Sequence, residues 1–323
     1  ENLVSLYQRT KAMIRADYQG KKVSEGQLSP LFDSPDREER VNSRKAVYNA
    51  FLEKKEELGE LLVKMIALRD RIAKENGFPN YLEYMNACYS RSDYGEKELD
   101  SFVEGVKKYV APVLEEITEE NRKRLGLEKM TSIDFGLMFP SGNPKPRGGA
   151  EYLTEKSRKM YMDLSAEMGD FFSNMVESES IDVSSSPNKV SGMGFCTSLK
   201  RGMYPFVFGN LDGTDWDIVV YTHEVGHAWQ GYYSEKFTPL NILLDMPLDA
   251  VEIPSKTMEL FSYPYSQEFF GEDGERFCFS HFRKAIKEIV SYSACHELNT
   301  WIYTHVGAGF DEINNRWLEL QAQ

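Results

Sequence analysis

Tyr221-Thr222-His223-Glu224-Val225-Gly226-His227-Ala228-Trp229-Gln230 is the stretch on which the reading of this chain turns, because it holds the pattern H-E-x-x-H. In an α-helix four residues turn through about 400° and rise about 6 Å, so His223 and His227 face the same way one turn apart. Two imidazoles placed like that can hold one metal ion. Glu224 lies about 100° further round, beside such an ion and not on it, where a carboxylate can take a proton from water. A helix is expected here: Asn210-Leu211-Asp212-Gly213 reads as a turn, and Thr214 and Asp217 have the spacing of a capping box.

A two-histidine metal site of hydrolytic type needs a third protein ligand and an open position. The metzincin pattern would place Gly at 230 and His at 233, but Gln230 and Tyr233 stand there, so that class is excluded. Among downstream acids, Asp245, Asp249, Glu252 and Glu259 are all available, and Glu252 and Glu259 are seven apart on one helical face. Spacing alone does not choose between them.

Working outward, Ser34 followed by Pro35 signals a helix start, apolar residues recur at Val47, Phe51, Leu58, Leu62 and Met65, and Gly77 and Pro79 end the run. Leu99, Phe102, Val103, Val106, Val110, Val113, Leu114 and Ile117 keep to one helical stripe, with Pro112 as a kink. The run from Pro140 to Gly149, PSGNPKPRGG, reads as a hinge loop before a methionine-rich helical region, Met160 to Met175, which ends at Ser184-Ser185-Ser186-Pro187. Gly192, Gly194 and Gly202 then punctuate a stretch leading to Tyr204-Pro205-Phe206-Val207-Phe208, short, aromatic and β-branched like a strand, with the proline favouring an edge. Glu275 to Tyr303 is again long and helical. The chain reads as mainly α with one small sheet.

Three blocks together resemble the oligoendopeptidase F family, relatives of thimet oligopeptidase. They are His223 to Ala228, the preceding Pro205-Phe206-Val207-Phe208-Gly209-Asn210-Leu211-Asp212-Gly213-Thr214, and Val251-Glu252-Ile253-Pro254-Ser255-Lys256-Thr257-Met258-Glu259. The Leu68 to Ala73 segment, the Gly142-Asn143-Pro144 loop and Asp163 to Met168 with Phe171-Phe172 extend the likeness. The resemblance implies a zincin-type catalytic domain over residues 1–323, a helical lobe (1–130) and a zinc-binding portion (131–323) around a deep cleft, with a small antiparallel β-sheet beside the active-site helix. It implies one Zn2+ held by His223, His227 and Glu252, with Glu224 as general base and Glu259 behind the ligands. The activity implied is zinc-dependent hydrolysis of internal peptide bonds in short oligopeptides by metal-activated water. Phe206, Val207, Phe208, Gly209 and Asn210, as an edge strand beside the helix, would pair with the peptide substrate. His281, His296 and His305 read as structural or surface residues.

Family members continue beyond segments like Trp301-Ile302-Tyr303 and Arg316-Trp317-Leu318-Glu319 into a helix whose His and Tyr groups bind the oxyanion, whereas this sequence runs from Glu1 to Gln323. The expectation is therefore a catalytic portion without the family's full ends, and the alternative is a fragment that binds zinc and peptide without turnover. An aminopeptidase reading is weaker, since no G-x-M-E-N-like segment is present.

Composition agrees with an enzyme of this kind. The 323 residues carry 38 Lys+Arg against 51 Asp+Glu, a net charge of −13, which repels nucleic acid and anionic lipid in the absence of a basic block. No apolar run approaches the ~18 residues that cross a bilayer. Four scattered cysteines, Cys88, Cys196, Cys278 and Cys295, without a CxxC pair suit free thiols in a reducing cytoplasm.

Overall fold

The side chain of Asp36 accepts the N–H of Glu38 and so opens the first long helix, two residues beyond the expected start at Ser34. Ser34 has another use: its hydroxyl accepts the N–H of Asp36. The computed structural model describes residues 2–322 other than 187, 190–193, 199–201, 239, 241–243 and 245. Pro187, Gly192 and Asp245 of the sequence reading lie outside the described residues.

Along the chain come α1 (Leu3–Ala12), β1 (Ala16–Tyr18), β2 (Lys21–Val23), α2 (Glu25–Leu28), α3 (Arg37–Leu52), α4 (Lys55–Glu75), α5 (Tyr81–Cys88), α6 (Glu96–Tyr109) and α7 (Ala111–Arg124). Then follow α8 (Ala150–Leu164), α9 (Ala166–Glu177), β3 (Ile181–Asp182), β4 (Gly194–Thr197), β5 (Phe206–Gly209), α10 (Trp216–Phe237), α11 (Leu248–Phe261), α12 (Ser266–Phe270), α13 (Gly274–Thr304) and α14 (Phe310–Gln321). The expected kink at Pro112 is a full break: α6 stops at Tyr109 and Pro112 sits in the first turn of α7, where its missing N–H needs no helical partner. The apolar run from Val47 to Met65 is likewise divided, between α3 and α4.

Two units emerge, Glu1–Gly136 with Arg283–Gln323, and Leu137–Phe282. Residues 283–323, grouped by the sequence reading with the zinc-binding portion, cluster with the N-terminal helices. Within the first unit, Ile66, Ile302, Tyr303 and Ile313 form one core, and Ala16, Leu28, Val47 and Ala50 form another under the β1–β2 hairpin. Asp134 is fully buried there, its carboxylate accepting hydrogen bonds from Arg37, Arg40 and Thr131.

The second unit has one continuous core, in which Phe172, Met160, Met175 and Leu153 of α8 and α9 pack with Val207 of β5 and Ile218, Tyr221 and Val225 of α10. Its sheet runs in the order β3-β5-β4. The sheet is mixed, not wholly antiparallel, because β3 pairs with β5 in parallel (Ile181 opposite Val207) while β4 pairs antiparallel, with Gly194 opposite Gly209 and Thr197 opposite Phe206.

The strand expected at an edge is the central one. Pro205 precedes β5 and removes no ladder donor from it, so the proline penalty that argued for an edge does not apply. Among the described residues β4, from the glycine-punctuated stretch, is an outer strand.

Candidate metal centre

The turn before α10 differs from a simple capping box. Gly213 takes a positive φ of 84°, and the Asp217 carboxylate reaches back to accept the N–H groups of Asp212 and Gly213, both at 2.9 Å. Thr214 donates its hydroxyl to Asp212 at 2.7 Å. Burial pushes the Asp217 carboxyl up to about 7 in spite of the two N–H donors. This anchored turn sets the rotation of the helix that follows.

On α10, His223 and His227 meet as the spacing requires, with their Nε2 atoms 3.1 Å apart and their rings at 83° to each other. Gly226 between them has a structural reason. A Cβ there would lie 2.6 Å from Ser255 Cα and 2.8 Å from the Pro254 carbonyl, so only glycine lets α11 come this close. Closeness brings Glu252 in: its Oε2 stands 3.2 Å from His223 Nε2 and 3.4 Å from His227 Nε2. Ser255, fully buried, donates its hydroxyl to the same Oε2 at 2.7 Å and holds the carboxylate in that direction.

These three atoms fit a divalent ion. A tetrahedral zinc with Zn–N bonds of about 2.0–2.1 Å separates neighbouring ligand atoms by roughly 3.3 Å, and the observed spacings are 3.1, 3.2 and 3.4 Å. Among the described residues this is the one such cluster of His, Cys and acidic side chains. Two nitrogens and one carboxylate oxygen are a donor set suited to zinc, and Glu252, 54% exposed, keeps the site open on one side. Asp249, on the exposed face of α11, takes no part in the cluster.

Glu259 lies one face-repeat further along α11 and is 2% exposed. Its Oε1 accepts from His223 Nδ1 at 2.7 Å, which leaves the lone pair of His223 on Nε2, pointing at His227 and Glu252. Burial alone would raise the Glu259 carboxyl, but hydrogen bonds from His223 and His281 and the charge of Lys256 outweigh it and hold it down to about 2. Burial works against protonation of His223, yet Glu259 raises its basicity, which strengthens a donor nitrogen. Burial and the neighbouring His223 push His227 the other way, towards the neutral ring.

Glu224 stands on the next face of α10, buried, with its carboxyl raised by burial and by the nearby Glu252. It lies against β4: a Cβ on Gly194 would meet Glu224 Cγ at 3.0 Å and Oε1 at 3.1 Å. A carboxylate raised towards neutrality suits proton transfer at ordinary pH. Burial and Glu224 push the thiol of Cys196, on the same strand, up to about 12, away from the thiolate form.

The segment Phe206 to Asn210 does not offer a free edge. Both sides of β5 are paired, Val207 is fully buried, and the Asn210 side chain is engaged by the backbone of Ser186 and Lys189. Two contributors were missed by sequence reasoning. Ser255 was findable, three residues from Glu252 on one helix. His281 was not, since nothing in its local pattern marks it, yet its Nε2 lies 2.8 Å from Glu259 Oε2. Of the tyrosines near the motif, Tyr232 stacks on Tyr204 and Tyr233 packs on Trp229.

Residues 151–302 match Peptidase family M3. Over 227 residues the chain is 23% identical to oligopeptidase PepF of Bacillus subtilis (strain 168), covering 68% of this chain and 32% of that protein. The fold superposes on PZ peptidase A, solved with an inhibitor, at TM-score 0.93 and 34% identity, covering 99% of this chain and 56% of that one. A protein from Bacillus anthracis str. Ames described as an oligoendopeptidase F gives TM-score 0.92 and 33% identity over 99% of this chain and 58% of that one. The chain thus spans little more than half the length of these solved relatives.

Proposed function

We propose that this chain, which belongs with the oligoendopeptidase F proteins of peptidase family M3, carries the zinc-dependent catalytic centre of an oligopeptidase that hydrolyses internal bonds of short peptides. The observation that carries the reading is the triangle of His223, His227 and Glu252 donor atoms, at 3.1 to 3.4 Å, with the buried Glu224 carboxylate beside it. Zinc bound by those three residues would polarise a scissile carbonyl and acidify a water. Glu224 takes the proton of the attacking water and returns it to the leaving amine; no covalent intermediate is needed.

Substrate alignment falls to β4 in this reading. It is an outer strand of the sheet, it touches Glu224 through Gly194, and an extended peptide added alongside it would be held by its backbone, which favours tolerance of many side chains. The names of the relatives, an oligopeptidase among them, support peptides as substrates. Among the described residues no helix is long and apolar enough to cross a membrane, and the cysteines are free, which fits a cytoplasmic setting.

The deciding experiment uses a doubly blocked, internally quenched peptide of about ten residues with the zinc-loaded chain and its Glu224→Gln variant. Turnover should fall at least about 10²-fold in the variant while one zinc stays bound. Full activity in the variant refutes Glu224 as base. One bound zinc with no cleavage by the parent chain overturns the reading in favour of zinc and peptide binding without turnover.

A further inference from the structure

We infer that His281 and Tyr263 are positioning residues of the metal centre, fixing Glu259 so that it in turn fixes the ring of His223. The inference rests on His223, His227 and Glu252 being the ligands and assigns a role to residues behind them.

The hydrogen bonds that meet at Glu259 have a fixed direction. An ionised Glu259 only accepts, so both ring nitrogens that face it must donate: His223 Nδ1 at 2.7 Å and His281 Nε2 at 2.8 Å. In a neutral His281 protonated on Nε2 the Nδ1 lone pair accepts from the Tyr263 hydroxyl 2.9 Å away; in a doubly protonated ring that hydroxyl accepts instead. Tyr263, His281, Glu259 and His223 therefore form one hydrogen-bonded chain, and it ends with the Nε2 lone pair of His223 aimed into the triangle. The chain is built rigidly. His281 is 5% exposed, its ring parallel to Phe277 and edge-on to Tyr263; it sits in the first turns of α13, Glu259 on α11, Tyr263 in the short 3-10 turn that follows α11, and His223 on α10.

Removing the His281 N–H would leave Oε2 of this buried carboxylate with only the long 3.4 Å hydrogen bond from Lys256 Nζ. The other cation at hand is Lys256, whose Nζ lies 3.1 Å from Oε1, the oxygen that holds His223, and 3.4 Å from Oε2. Glu259 released from His281 would turn towards Lys256 and lose its aim on His223. Outer partners of ligating histidines act on metal affinity in this way, by about 10- to 100-fold.

The test is zinc affinity of the intact chain, by competition with a chelator, together with the visible absorption of the cobalt(II) form. His281→Phe should weaken zinc about 10- to 100-fold and alter the cobalt band. His281→Gln, whose amide N–H reaches the same oxygen, should return affinity to within about threefold of the parent, and Tyr263→Phe should give a smaller loss than His281→Phe. Parent-like affinity in His281→Phe, or a glutamine variant as weak as the phenylalanine one, overturns the inference. If His281→Phe does not fold, Tyr263→Phe decides: unchanged affinity refutes the chain of positioning. A parent chain that takes up no zinc refutes the metal reading itself, an outcome separate from equal binding by parent and variants.

Discussion

Gly226→Ala should draw Glu252, the proposed third ligand, away from His223 and His227. The added Cβ would sit 2.6 Å from Ser255 Cα, 2.8 Å from the Pro254 carbonyl and 3.0 Å from Ser255 N, all backbone atoms of α11 that no rotamer change can move. Ordinary carbon contacts need about 3.5–4.0 Å, so α11 must retreat from α10 by roughly 1 Å. Glu252, one turn before Ser255, now reaches the two imidazoles at 3.2 and 3.4 Å. A retreat of that size opens these spacings beyond the ~3.3 Å edge of a zinc tetrahedron. Zinc affinity should fall by at least about 10-fold. Overpacking should also cost about 1–3 kcal/mol of stability, offset in part by the ~1 kcal/mol that alanine gains over glycine in a helix. Chelator competition reads the first effect and thermal unfolding of metal-free protein the second. Gly231→Ala is the control on the same helix, because a Cβ there meets only Ser198 Oγ at 3.6 Å; it should bind zinc normally and be no less stable. A Gly226→Ala protein with parental zinc affinity would refute the close approach as the determinant of the triangle.

Gly194→Ala should spare metal binding and displace Glu224, the proposed base. Its Cβ would meet Val220 Cγ1 at 2.6 Å and Glu224 at 3.0 and 3.1 Å, and a shift of the carboxylate by about 1 Å costs about 10²-fold in kcat; parental kcat at one zinc per chain would contradict this. Asp134, fully buried, feels burial that would raise it, but Arg37, Thr131 and Arg40 hold it down to about 2, so it stabilises the fold above about pH 4 and that contribution fades as pH falls towards 2. Asp134→Asn should remove that acid dependence and lower stability at neutral pH by about 3–5 kcal/mol by leaving Arg40 buried without its charge partner; thermal unfolding across pH checks both, and a variant as stable as the parent at pH 7 argues against the pairing.

How much of this was legible depended on whether the cause was local. The motif helix follows from a turn and a four-residue repeat, both local, and α10 begins just after the one and contains the other; α13 likewise matches its pattern almost to the residue. Glu252 was singled out by resemblance, since its selection rests on the contact of two helices through Gly226, which spacing does not express. β4 stayed hidden because a strand of four residues beginning with glycine has little β character of its own and is made by pairing with β5. The edge placement of β5 failed for a related reason: strand order is a property of partners distant in sequence. His281 joins Glu259 across 22 positions, through burial that no short window reveals.

The outer position of β4 has a second side. Unpaired backbone is indiscriminate, and an edge that accepts one extended chain will accept another, including a neighbouring copy of the same molecule. Its four residues, Gly194 to Thr197, limit how many rungs such a contact can make, and the glycine at one end contributes no side chain to lock neighbours in register. Phe195, 48% exposed and stacked on Phe208, works the other way, as a ready apolar handle. Self-association through this edge would therefore use the same short strand that is proposed to align substrate, and a peptide lying along it would compete with such contacts.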